Sequence, residues 1–173
     1  MNTSFFGHRM AVALRLLGVA ILSGAALAYA ASEGGRPTRL TPEEMSWPAA
    51  EGSTQPGASM QGGVQSLVIF GNASKPALYS IMFKVGPNAQ IPAHSHPDDR
   101  SCFVMAGVWY FGYGDKYSVA DLKALPPGSH YTEPAGIHHF AGTRAEGATV
   151  ECTSVGPSGT TFVNPKDDPR NRP

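Results

Sequence analysis

The sequence predicts an all-β protein, an antiparallel sandwich or barrel of short strands. Three observations carry this. The 173 residues include 20 Gly and 15 Pro, roughly a fifth of the chain against about 12% in an average protein. That content disfavours long helices and suits strands joined by many turns. Nine short apolar segments recur between residues 64 and 163, each bounded by turn residues. Only one stretch, 118–124, has a helical pattern.

The elements follow in chain order. Residues 1–30 hold Arg9 and Arg15 and no acid, and an uncharged run spans 16–32. The run ends in Ala28-Tyr29-Ala30. A basic start, an apolar middle and a small-x-small ending describe a secretory signal peptide cut after Ala30. The run falls short of the ~20 apolar residues of a membrane span and is interrupted by Gly18, Ser23 and Gly24. Residues 31–63, rich in Gly, Pro, Ser and Ala, read as an extended arm. One helical turn is expected there, with Thr41 as N-cap, Pro42 at the first helical position and Glu44 completing a capping box. Trp47 is expected to anchor the arm onto the domain.

The expected strands are 64–70, 77–85, 90–96, 100–106, 108–113, 129–133, 137–142, 148–155 and 160–163. Gly71-Asn72, Gly86-Pro87-Asn88, Pro97-Asp98-Asp99, Gly114-Asp115, Pro126-Pro127-Gly128 and Glu146-Gly147 punctuate them. Ser118 and Asp121 are placed as a capping box for the helix over 118–124. Residues 164–173, rich in Asp and Pro, read as a flexible tail.

The 13 basic and 13 acidic residues cancel, which argues against a nucleic-acid binder. Removing residues 1–30 takes away two bases and no acid, leaving a mildly acidic exported domain, periplasmic or secreted, with no membrane attachment after cleavage. Both cysteines, Cys102 and Cys152, belong to that domain. An even count in an oxidising compartment is compatible with one disulfide, and equally with two buried thiols.

Five of the six histidines lie between residues 94 and 139. His94 and His96 are two apart on an expected strand and so share a face. A third imidazole from another strand would complete a metal site. His139 is best placed for it, while His138 points the other way. Neutral imidazoles suit Zn, Cu, Fe and Ni.

The surroundings extend the pattern. Gly86, His94, His96, Arg100 and Gly107 are followed by Gly128, Pro134, Gly136 and His139. This resembles the two motifs of the cupin superfamily, which are Gly, His-x-His, Glu and Gly, then Gly-x5-Pro-x-Gly-x2-His. The final asparagine of the second motif falls at Thr143 here. The resemblance covers residues 64–163. It implies a double-stranded β-helix, or jelly-roll barrel, with an interior pocket and with His94, His96 and His139 as ligands of a divalent ion. Fe, Zn, Ni, Mn and Cu are not distinguished. It also implies a homodimer by analogy, and places Cys152 on the strand beside that of Cys102, where a cross-strand disulfide fits.

The fourth ligand of the family, a glutamate, is Arg100 here. Arginine has no free lone pair and cannot ligate. Three readings are open. A three-histidine site holds the ion; or another acid (Asp98, Asp99, Glu133 or Glu151) replaces the glutamate; or the metal is lost and Arg100 fills the pocket. An inward Arg100 would grip an anionic substrate bidentately; alternatively it pairs with Glu133 or Glu151. Trp109 with Phe111, or Tyr110 with Val108, lines the barrel. Either His130 or Tyr131 approaches the pocket. The functional expectation is a small metalloenzyme, oxygenase- or isomerase-type, on a small anionic molecule, with Arg100 as its catalytic side chain. The alternatives are a non-catalytic cupin that binds or senses a small molecule and a metal-free acid/base catalyst.

Overall fold

The computed structural model describes residues 37–48 and 63–171. The expected signal peptide and most of the arm lie outside these residues. Among the described residues ten strands form: β1 (Val64–Gly71), β2 (Leu78–Val85), β3 (Gln90–Ser95), β4 (Arg100–Gly107), β5 (Trp109–Tyr113), β6 (Lys123–Leu125), β7 (His130–Glu133), β8 (His139–Gly142), β9 (Ala148–Val155) and β10 (Thr161–Phe162). They make two five-stranded sheets, in the orders β1-β2-β9-β4-β7 and β10-β3-β8-β5-β6. Every pairing is antiparallel. Among the described residues no helix is long and apolar enough to cross a membrane.

Alternation along the strands explains the layering. On β4, Arg100, Cys102 and Val104 are buried while Ser101, Phe103 and Met105 are exposed. On β9, Val150, Cys152 and Ser154 point inward in the same way. The core between the sheets gathers Tyr79, Ile81, Val104 and Val150 against Ile91, Trp109, Phe111 and Ala141. Each large side chain there contributes about 1.5–3 kcal/mol by leaving water. Cys102 and Cys152 face one another in register and form a disulfide.

Gly107 shows why the motif glycine sits where it does. Its φ is +69°, and a Cβ there would stand 2.0 Å from the Gly147 carbonyl oxygen. Only glycine turns the chain at that point without moving β9.

All nine expected strands are present, most with ends displaced by a residue or two. The helix expected over 118–124 is corrected. One 3-10 turn, Val119–Asp121, forms, and Ser118 makes no side-chain cap bond. The chain then extends into β6, which pairs with β5 as Trp109↔Leu125, Tyr110↔Ala124 and Phe111↔Lys123. Sheet pairing satisfies the backbone and buries Leu125, and the prolines after it would have stopped a helix in any case.

The arm turn forms over Pro42–Glu44, with the Glu44 carboxylate accepting the Thr41 N–H at 2.8 Å. Trp47 meets β2 through Lys84, whose ammonium lies 5.7 Å from the ring centroid. Past β10, turns at Pro165–Asp167 and Pro169–Asn171 are tied back by Arg170, which donates to the Thr160 carbonyl at 3.1 Å.

Candidate metal centre

Two neighbouring strands of the second sheet carry the histidines. His94 on β3 pairs directly with His139 on β8. His96 follows the end of β3 and faces the same way. The turn before His139 is locked to it, since the Gly136 N–H donates to the His96 carbonyl at 2.8 Å. All three imidazoles are buried, with ring centroids 4.4–5.1 Å apart. One nitrogen from each lies within 4.8 Å of the others. The sequence-based trio is therefore brought together.

The hydrogen bonds settle which nitrogen each ring offers. His94 Nδ1 contacts the Pro92 carbonyl at 2.7 Å, His96 Nδ1 that of Gly159 at 2.6 Å, and His139 Nδ1 that of Ile137 at 3.0 Å. A carbonyl oxygen only accepts, so each Nδ1 carries the proton and each Nε2 keeps its lone pair. Burial, and then the neighbouring His139, pushes the His94 pKa down to about 3. Burial, and then Arg100, holds His96 well below the ordinary range. Both rings are neutral at pH 7, the state in which imidazole ligates.

Glu133 stands beside two of the three rings. It lies opposite Arg100 on β7, in direct register, and is buried. Its Oε2 stands 3.4 Å from His96 Nε2 and 3.8 Å from His139 Nε2. His139 Nε2 is buried without a hydrogen-bond partner. Three lone pairs thus converge, with the Glu133 carboxylate beside two of them and Arg100 Nη1 donating to that carboxylate at 3.4 Å. Such a cluster fits a cation, and its three imidazoles and one carboxylate are ligands of divalent first-row ions. The sequence signal for Glu133 was faint: it was one of four candidate acids, and only the register shows that it alone faces the rings.

The other three acids are spoken for. Asp99 accepts the Ala135 N–H at 2.8 Å, Glu151 accepts the Thr153 hydroxyl at 2.8 Å, and Asp98 faces Arg100. Arg100 is itself buried. Its Nε reaches Asp98 at 3.3 Å, Nη1 reaches Glu133 at 3.4 Å, and Nη2 donates to Ser158 Oγ at 2.6 Å. Ser158 and Tyr79 donate to Asp98 in turn, at 2.6 and 2.5 Å. Burial pushes the Asp98 carboxyl up, but Arg100 and these hydroxyls outweigh it and hold it below the usual range. The expected partner Glu133 is present; Asp98 and Ser158 are additions.

The cavity between the sheets is lined by the three histidines, Arg100 and Glu133 and by Phe83, Ile91, Trp109, Phe111 and others. Its free space is about 20 Å³, room for an ion or about one water. Trp109 and Phe111, rather than Tyr110 and Val108, form the barrel wall. Tyr131, not His130, points inward. His130 is exposed and meets Ser101 Oγ at 3.1 Å.

The overall architecture has counterparts among solved structures. The polyketide cyclase RemF from Streptomyces resistomycificus superposes with a TM-score of 0.55 at 18% identity, covering 78% of this chain and 90% of its own. A sugar phosphate isomerase of the cupin superfamily from Silicibacter pomeroyi gives 0.52 at 19% identity, covering 72% and 81%. KdgF from Halomonas sp. gives 0.50 at 16%, covering 70% and 96%. The chain has the cupin fold. No protein-family model matches the sequence, and no curated protein matches it. Thr143, standing where the family has asparagine, donates to the Gly86 carbonyl at 2.6 Å and accepts the Ala89 N–H at 2.9 Å.

Proposed function

We propose that this cupin is a metalloprotein in which His94, His96, His139 and Glu133 hold one divalent ion, and that it is a small metalloenzyme acting on a small anionic molecule. The observation that carries the reading is the convergence of three imidazole Nε2 lone pairs in a buried cavity, with the Glu133 carboxylate beside two of them. A divalent ion there supplies a Lewis-acid centre for an oxygen-bearing ligand. Arg100 turns Glu133 toward the rings and sets the charge of the cavity. By formal charge Asp98, Glu133 and Arg100 together carry one negative charge, so a divalent ion leaves the site positive. That supports an anionic ligand, met by the ion. The counterparts named above as cyclase and isomerase support chemistry on small organic molecules, while the shared fold leaves the reaction open.

The reading extends to an exported protein, periplasmic or secreted. The Cys102–Cys152 disulfide supports an oxidising compartment. A second reading, a non-catalytic metal-binding cupin, is favoured by the free space of about 20 Å³, which is small for a substrate. Metal analysis of the purified protein tests the first step. About one equivalent per chain is expected; less than ~0.2 equivalents after metal-replete expression overturns it. Glu133→Gln should lower metal retention at least tenfold, and unchanged retention would reduce the ligand set to the histidines.

A further inference from the structure

Among the described residues a second cavity lies apart from the histidines. It opens on the outer face of the second sheet, with a free space of about 200 Å³. Its floor follows from one rung of the sheet. Gln90 on β3, Gly142 on β8 and Tyr110 on β5 stand side by side in register. The middle position has no side chain, which leaves a shallow notch between its neighbours, partly filled by the Ala89 carbonyl oxygen and the Tyr117 hydroxyl. A Cβ at Gly142 would meet the Ala89 carbonyl oxygen at 2.6 Å and the Tyr117 hydroxyl at 3.1 Å. The segment between β5 and β6 roofs the notch with Tyr117, Val119 and Leu122. Tyr117 is fixed there by its packing on Phe140, with ring centroids 5.5 Å apart.

A cation sits at the rim. The Arg144 guanidinium lies 4.4 Å from the centroid of the Tyr110 ring. Among the described residues no carboxylate pairs with it. The rim is also braced, because Asn88 donates its N–H to the Arg144 carbonyl at 2.7 Å. One wall is aromatic, one apolar and one amide-bearing, with an unneutralised guanidinium at the edge.

We propose that this outer cavity is a second small-molecule site, for a single-ring carboxylate. The ring lies against Tyr110 and Tyr117 over the Gly142 notch, and its carboxylate pairs with Arg144, the geometry a guanidinium fork favours. The Gln90 amide is placed to meet a polar ring substituent. A volume below the ~300–1,000 Å³ of larger ligand sites fits one ring and excludes a nucleotide or an oligomer. The site is independent of the metal centre, since none of its lining residues belongs to the inner cavity.

Benzoate is the probe, with benzyl alcohol as its uncharged counterpart, followed by amide NMR of the purified protein. Benzoate should saturate with a Kd of about 1 mM or tighter, shifting the Gly142 and Thr143 signals. Arg144→Gln should weaken it about tenfold or more, to the level of benzyl alcohol. Leu122→Trp, which fills the notch from the roof, should abolish binding while both sheets keep their native spectrum. Metal-stripped protein should bind equally well. No saturation by about 10 mM, equal binding by Arg144→Gln, or loss of binding on metal removal would each overturn the proposal.

Discussion

Two buried polar clusters meet at the inner cavity and are built in opposite ways. The histidines are held by backbone: each Nδ1 is bonded to a main-chain carbonyl, so each Nε2 is left over. The Arg100 cluster is held by side chains: Arg100, Asp98, Glu133, Ser158 and Tyr79 satisfy one another. The first arrangement keeps ligating capacity free and depends on something arriving. The second uses its capacity internally and contributes to the fold whether or not anything arrives. Glu133 belongs to both, which makes it the hinge of the comparison.

The largest effect should come from breaking the second cluster. Arg100→Ala strands two buried carboxylates and should cost about 3–5 kcal/mol in a denaturant titration. A cost under ~1 kcal/mol would mean that the carboxylates do not depend on it. Removing the cross-strand disulfide by the double change Cys102→Ala and Cys152→Ala should cost about 2–4 kcal/mol, read from the same curves. Ser158→Ala, which removes a bond to a charged group on each side, should cost about 1.5–3 kcal/mol.

The first cluster should respond differently. His96→Ala is expected to take metal content from about one equivalent to below ~0.2, while the metal-free protein loses less stability than in Arg100→Ala. The reverse order would merge the two clusters into one structural unit. Acid titration sharpens the same point in the metal-free protein. The folded His94 pKa of about 3 lies below the unfolded value of 6.5. The unfolded chain therefore takes up protons first, and stability present above pH 6.5 is lost as pH falls toward 3. His96 acts with the same sign. His139, Arg100 and Glu133 face these rings, and Asp98 adds a further loss through the carboxylate range. A thermal midpoint flat between pH 6.5 and 4 would argue that the rings are already solvated. The smallest effect is expected from Thr143→Asn, within about 1 kcal/mol, since either side chain can bridge the Gly86 and Ala89 backbones.

How legible these features were in the sequence follows their range along the chain. Alternation and turn residues marked the strands, because both act within a few residues. Residues 118–124 misled, since their helical spacing gave way to a partner strand that local pattern cannot see. The His-x-His pair was readable at two-residue spacing, and His139 through its glycine-rich turn. Glu133 was readable only as one candidate among several. Its place at the site depends on pairing with a strand 33 residues away, which composition and spacing do not encode. The Gly142 notch was invisible for the same reason, being a property of three strands at once.

The direct pairing of Arg100 with Glu133 has one more consequence. Two positions that face each other on a rung are exchangeable in space although distant in sequence. A carboxylate can move from one to the other, with the guanidinium moving back, and a barrel can keep its acid beside the same three rings. A motif reader following one strand would record a lost ligand at position 100. On the proposed ligand set, Arg100→Glu combined with Glu133→Arg would exchange the two positions and leave a carboxylate on the same rung.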